Sequence, residues 1–284
     1  DHHLGIRHSQ INKSIINYAD LDRYNTIVIP SGSSLSETNM NTLSNWVKNG
    51  GTLVAHNRSA RSIASENGIG NVKLIQHTFD NSRDFNIDLQ REIYSLSDEI
   101  DYEKTHSNKV DTDISYPWES IENTLSKEDL ESRDKWQSLF MPSGSFVSAR
   151  TDQKHWLTFG STKLLPILYG DSPVLMTGRN SQAAVRVGEI IDSIDNIDVN
   201  KINWSTIPSG KDINVRMSGL VWPEAAQRIA NSAYLTRERF GEGQIILFSG
   251  EPNFRGSSLG TNRLWLNAIV YGAGLGTSQK VSLD

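Results

Sequence analysis

Apolar positions cluster most clearly between residues 24 and 60. Residues 24–29 form a short, β-branched apolar run closed by Pro30-Ser31-Gly32, the pattern of a buried strand ending in a turn. Leu35, Met40, Leu43, Trp46 and Val47 follow near helical spacing, and Gly50-Gly51 supplies the stop. Residues 52–55 are a second apolar run. Strand, crossover helix and strand in that order build a parallel sheet with helices over its faces.

The rest of the chain is read around that unit. Residues 1–23 carry Leu4, Ile6, Ile11, Ile15 and Ile16 without a clean period, which predicts an edge segment and a helix or loop. Residues 59–67 predict a brief helix, and residues 72–79 a strand of poor alternation. Residues 80–135 then hold 16 Asp or Glu against 7 Lys or Arg. That stretch reads as broken helices and polar loops, so residues 80–140 are expected to be an acidic, mixed or irregular surface insertion in a single α/β domain spanning 1–284, with Trp118 and Trp136 pinning it down. Strand patterns return at 144–150, 155–160, 163–169, 173–176 and 183–190, and Pro166 places the third of these at an edge. Pro223-Glu224 opens a helix over 221–230. Residues 233–237 and 244–249 make a hairpin across Gly241-Glu242-Gly243. A last helix runs to Val270, and the tail from Gly272 is expected to fray or act as a linker.

Composition narrows the classes. The chain has 284 residues, 37% hydrophobic and 21% charged, with mean hydropathy -0.44, the profile of a globular protein and not of a disordered or fibrous one. No apolar run reaches the roughly 18 residues of a membrane span, and no signal peptide is visible. The start at Asp1, without Met, predicts a processed product or an excised piece. A net charge of -5 with dispersed Lys and Arg gives no reason to expect a nucleic-acid partner. Zero cysteines remove disulfides, thiolate nucleophiles, iron-sulfur clusters and cysteine-ligated zinc together.

The segments YNTIVIPSG (24–32), WVKNGGTLVAHNRSA (46–60) and FGEGQIILFSGEPNFRG (240–256) resemble the class I glutamine amidotransferase-like fold. More narrowly, they resemble the amidotransferase-like domain that follows the catalytic domain in large bacterial zinc carboxypeptidases of the carboxypeptidase A type. The resemblance spans residues 1–65 and 140–272. It implies a flavodoxin-like three-layer sandwich with a mostly parallel sheet. True amidotransferases of this fold carry a Cys-His-Glu triad, the nucleophile in a tight turn after a strand. The matching turn here, Ala55-His56-Asn57-Arg58-Ser59, has no cysteine, and Ser249-Gly250-Glu251-Pro252 stands where a His-Pro-Glu motif would be. The resemblance therefore implies a non-catalytic accessory domain that docks on an upstream peptidase domain of the same polypeptide, in an extracytoplasmic, periplasmic or secreted protein. No cofactor is expected in this segment. Zinc is expected only upstream, because no His-x-x-Glu pair occurs in the chain.

Two other functions stay open on the residues. An independent hydrolase at the carboxyl edge of the sheet would use Ser33 or Ser59 as nucleophile, or His56 as base with Glu251 or Glu224. A peptide- or small-molecule-binding module would line the same cleft with Ser33, Asn57, Arg58, Glu224, Glu251, Asn253 and Arg255. Each residue also has a plain structural role. His56 can bond neighbouring backbone, Ser33 and Ser59 can cap or turn, and Asn57 and Arg58 can hold the loop before a helix. Glu251 and Arg255 can pair to tie the last loop to the sheet, and Glu224 can favour its helix N-terminus. His2, His3 and His8 are an exposed N-terminal group, and Asp192, Asp195 and Asp198, three apart, fail the ligand spacing of a calcium loop.

Overall fold

The computed structural model describes residues 8–32, 34–96, 125–193, 200–202, 204–208, 210–256 and 258–274. In chain order its elements are β1 (Thr26–Ile29), α1 (Glu37–Lys48), β2 (Thr52–His56), α2 (Arg58–Ile63), β3 (Lys73–Leu74), α3 (Ser82–Leu96), α4 (Lys127–Ser138), β4 (Ser145–Thr151), β5 (Leu164–Tyr169) and β6 (Leu175–Met176). There follow β7 (Gln182–Val187), β8 (Glu189–Asp192), β9 (Asn200–Ile202), β10 (Ser205–Ile207), β11 (Lys211–Asn214), β12 (Arg216–Ser218), α5 (Pro223–Ile229), β13 (Ala233–Phe240), β14 (Gly243–Phe248) and α6 (Leu259–Val270).

The opening unit forms as its pattern predicts. Ser36 caps α1, its Oγ accepting from the Asn39 amide at 3.2 Å, and Glu37 sits in the first turn, where the helix dipole favours it. Met40, Leu43, Trp46 and Val47 share the buried face, and the Trp46 indole donates to the Leu21 carbonyl at 2.9 Å. β1 lies parallel to β2, with Ile27 opposite Leu53 and Val28 opposite Val54. β14 pairs with the other side of β2, also in parallel, and turns back into β13. The hairpin turn presses on the end of α1. A Cβ at Gly243 would lie 2.2 Å from the carbonyl oxygens of Val47 and Gly51, so a side chain there would lift the hairpin off the helix.

Beyond this parallel heart the sheet is mixed. Ten strands follow the order β1-β2-β14-β13-β7-β4-β12, with β5 added to β4 and β6 joining β13 to β3, and the pairings after β14 are antiparallel. Alternate residues of the central strands enter two separate cores. Leu53, Ala55, Ile245 and Leu247 pack with α1 and α2, while Val54, Ile246 and Phe248 pack against Leu264 and Ala268 of α6. Each fully buried Leu or Ile contributes about 1.5–3 kcal/mol of burial, so helices on both faces hold the sheet.

Several expectations change. Residues 72–79 form a strand only at β3, because the chain then turns through short 3-10 segments closed by Thr78, whose hydroxyl donates to the Ile75 carbonyl at 2.7 Å. Residues 155–160 are a 3-10 turn at Trp156–Thr158 and not an extended piece, since His155 Nδ1 accepts the Leu157 amide at 3.1 Å. The run 183–190 breaks at Gly188, where φ is 96° and Ile213 leaves no room for a Cβ.

Among the described residues, the acidic region holds two well-formed helices that enter the core. α3 buries Leu89, and its buried Asn86 and Gln90 clasp the backbone of Thr206 at 3.0 and 2.7 Å; α4 buries Leu130. Trp136 is 57% exposed and stacks edge-on against Phe140, so it does not anchor the region in the core. Trp118 lies outside the described residues.

Candidate functional site

The carboxyl ends of β2 and β14 lie side by side, His56 opposite Phe248, and the chain turns sharply at the next residue of each. Asn57 has φ 52° and ψ -121°, a backbone conformation that L side chains rarely adopt. Its amide donates to the Phe248 carbonyl at 2.9 Å, and its carbonyl accepts from the Arg61 amide at 2.9 Å. The residue between strand and helix is thus held in the strained turn that, in hydrolytic α/β enzymes, lifts a nucleophile out of the sheet. Here the side chain in that position is a carboxamide.

Around Asn57 the polar groups converge without forming a relay. Asn57 Nδ2 donates to Glu251 Oε1 at 3.4 Å, so the carboxylate meets an amide and not an imidazole. His56 points its ring edge-on at Trp265, with centroids 5.3 Å apart, and Trp265 packs in the same way on Phe248 at 5.5 Å. Burial holds the His56 imidazole below its ordinary pKa, the nearby charge of Glu251 working against that shift. His56 Nδ1, Asn57 Oδ1 and Ser249 Oγ are all buried and have no hydrogen-bond partner. Such orphaned atoms are uncommon in folded proteins, and three of them gather at this one sheet edge.

The other sequence candidates separate. Ser59 is fully buried and donates to the Pro30 carbonyl at 2.5 Å, which makes it a tether between the β1 and β2 turns and removes it as a nucleophile. Arg58 leans away from Glu251 toward Asp171, 3.5 Å distant, which Arg61 also reaches at 3.0 Å. The expected pairing of Arg255 with Glu251 does not form. Arg255, at φ 51°, lays its guanidinium over the ring of Phe254, 5.2 Å from the centroid, and Asn253 is exposed. Glu224 stands on α5, which packs on α4 through the Arg228–Asp134 ion pair at 2.7 Å, and its Oε2 is buried without a partner. Ser33, His2, His3, Asp195 and Asp198 lie outside the described residues. Among the described residues no group of three or more His, Cys, Asp or Glu gathers to hold a metal ion, and no helix is long and apolar enough to cross a membrane.

Two contributors escaped the sequence reading. Trp265 lies within the apolar face of α6 and reads there as core, and Ser249 is one polar residue at the end of an apolar strand. Only the parallel pairing of β2 with β14 brings them to His56.

A family model described as the β-galactosidase trimerisation domain matches residues 1–69. Solved structures similar to this chain include Gan42B, a GH42 β-galactosidase, at 12% identity over 83% of this chain and 20% of that one, with a TM-score of 0.33. A cytoplasmic protein from Salmonella typhimurium is 11% identical over 91% and 78% of the two chains, TM-score 0.37. A ThuA-like protein from Bacteroides uniformis is 12% identical over 92% and 74%, TM-score 0.37. This chain therefore spans about a fifth of the length of that β-galactosidase. No curated protein sequence matches. These findings correct the narrower resemblance: the family model falls on a β-galactosidase domain, and the similar structures are a β-galactosidase and ThuA-like proteins, with none pointing to the companion domain of a zinc carboxypeptidase.

Proposed function

We propose that this chain is a flavodoxin-like, class I amidotransferase-like domain that has kept the nucleophile turn and lost the nucleophile, and that it works as a non-catalytic accessory domain. The observation that supports this reading is Asn57 at φ 52° between β2 and α2, bonded to Glu251. A carboxamide cannot attack a carbonyl as a thiolate does, and Glu251 has no imidazole to orient. The one serine in the turn, Ser59, is sealed under Pro30.

The test is turnover. Ammonia release from glutamine and hydrolysis of a nitrophenyl ester should stay at the buffer rate for the wild-type chain and for Asn57→Ala alike. Turnover that disappears in both Asn57→Ala and Glu251→Gln would overturn the reading.

A more specific accessory role, self-association, is favoured by the match of residues 1–69 to a domain described by trimerisation. That stretch carries β1, an edge strand with Val28 exposed, and the exposed Ile15 and Tyr18 before it. Light scattering after size exclusion should give a mass near three chains, falling to one in an Ile15→Glu, Tyr18→Glu variant. A monomer at all concentrations removes the assembly role and leaves the catalytic silence of the turn untouched.

A further inference from the structure

Exposed aromatic and aliphatic side chains gather where α4 meets α5, at the end of the sheet away from β1. Trp136 packs edge-on against Phe140 with ring centroids 5.1 Å apart, and Phe140 in turn against Trp222 at 6.4 Å. Leu139 precedes Phe140, and Leu220 stands on the far side of buried Val221 from Trp222. Trp136, Leu139, Leu220 and Trp222 are each at least half exposed. A half-exposed indole shows on the order of 100 Å2, so these four side chains present roughly 400 Å2 of apolar surface, the size at which a patch usually marks an interaction site. The support beneath is fixed. Arg228 and Asp134 join α5 to α4 at 2.7 Å, Gln137 Nε2 donates to Gln227 Oε1 at 3.3 Å, and Ser145 Oγ donates to the Leu220 carbonyl at 2.8 Å.

A smaller apolar projection stands at the other end of the sheet. Residues Lys13–Tyr18 form a 3-10 turn against α1, where Thr42 Oγ1 donates to Asn17 Oδ1 at 2.8 Å. Side chains three apart share a face in such a turn. Ile16 faces the core, and Ile15 and Tyr18 stand out together, Tyr18 88% exposed. α1 packs with the residues of β2 and β14, whereas Leu220 follows β12 at the opposite end of the strand order, so the turn and the aromatic face cannot meet within one copy. A closed ring of three copies joins two different faces at each contact, because one face set against itself closes a pair. Among the described residues of 1–69, the large apolar side chains left exposed are Ile15, Tyr18 and Val28, enough for one side of such a contact and not for both.

We propose that the Trp136, Phe140 and Trp222 face is the docking surface for a second copy of this chain, and that it receives the Ile15 and Tyr18 turn of that copy head to tail. This pairing rests on the self-association of the chain and names the surface that completes it. Tyr18 is the kind of anchor that dominates interfaces, a large rigid ring with a polar tip, and the exposed indoles offer it edge-to-face packing.

Light scattering after size exclusion tests the pairing on the full chain. A Leu139→Glu, Trp222→Glu variant should fall from a mass near three chains to one, as the Ile15→Glu, Tyr18→Glu variant does. Both side chains are exposed, so the circular dichroism spectrum should match wild type; Leu139→Glu alone serves if the double variant misfolds. The decisive arm mixes the two variants in equal amounts at roughly 0.5 mM each, because the mixed pair has a single contact where a ring has three. Each variant keeps the face that the other has lost, so the mixture should give a mass near two chains. A mixture that stays at one chain overturns the proposal. So does a trimer that survives Leu139→Glu, Trp222→Glu and dissolves in Ile15→Glu, Tyr18→Glu, an outcome that leaves the self-association standing on another surface. A wild-type chain that is monomeric at every concentration overturns both.

Discussion

At the end of β2, three buried polar atoms on His56, Asn57 and Ser249 have no partner, and a strained backbone holds them there. Over β7, by contrast, the buried guanidinium of Arg186 makes four hydrogen bonds. Both regions lie on one sheet and both bury polar groups. The turn is bonded through the Asn57 backbone while side-chain atoms beside it go unpaired, whereas the Arg186 guanidinium is bonded through every nitrogen. Strain with orphaned atoms marks a backbone held in place against the hydrogen-bonding needs of its side chains. Saturation marks a charge fixed in place by its bonds.

The largest expected effect breaks the saturated side. Glu92→Gln strips the counter-charge from Arg186 and should cost about 3–5 kcal/mol in urea unfolding, the range for removing one partner of a buried pair. Ser249→Ala is the matched change in the turn. It deletes an oxygen that bonds to nothing and should leave stability within about 0.5 kcal/mol of wild type or raise it. Similar costs for the two variants would erase the contrast.

The strain itself comes next. Asn57→Val should destabilise by about 1–3 kcal/mol, because a β-branched residue resists φ 52°, while Asn57→Gly should be neutral or stabilising. Two equally destabilising variants would mean that the side chain, and not the backbone, dominates this position.

A smaller effect is the response to pH. The folded-state pKa of His56 is lowered below 6.5, so its contribution is present above that value and is lost as pH falls through and below it. The pKa of His155 is lowered by burial too and adds to the same slope. Asp88 runs the other way, its pKa raised by burial above 3.8, so its contribution is greatest in acid and is lost as pH rises. Between pH 7 and 5 the urea midpoint should fall, and His56→Phe should flatten part of that fall without removing it.

The smallest change is Asp171→Asn, which frees the exposed Arg58 and Arg61. It should shift stability by under about 1 kcal/mol in low salt and by less in 0.5 M salt, approximate figures for a screened surface pair.

Local pattern carried β1, α1, β2 and the β13–β14 hairpin, though not the parallel pairing of β14 with β2. The apolar runs at 24–29 and 52–55, the spacing of Met40, Leu43 and Val47, and the glycines at 241 and 243 all act within one element or its neighbour. α3 and α4 were illegible as core helices for a physical reason. α3 buries Asn86 and Gln90 beside Leu89, and those amides find their partners on Thr206, about 120 residues away. A reading that equates polar with exposed sends such a helix to the surface. The turn at 55–59 was legible in place but not in conformation, since nothing in Asn57-Arg58 reports a positive φ. The Arg186 cluster was not legible at all: Glu92, Arg186 and Asn231 come from separate segments and meet only in the folded chain.

Asn57 joins two hydrogen-bond systems in one residue. Its amide extends the β2–β14 ladder by one rung, and its carbonyl begins the ladder of α2. The side chain takes no part in either. Such a position can lose its one side-chain bond, to Glu251, while its backbone stays fixed, because both ladders are held by the peptide group. The fitness of a substitution at Asn57 is set by which residues tolerate the turn long before it is set by what they can do there.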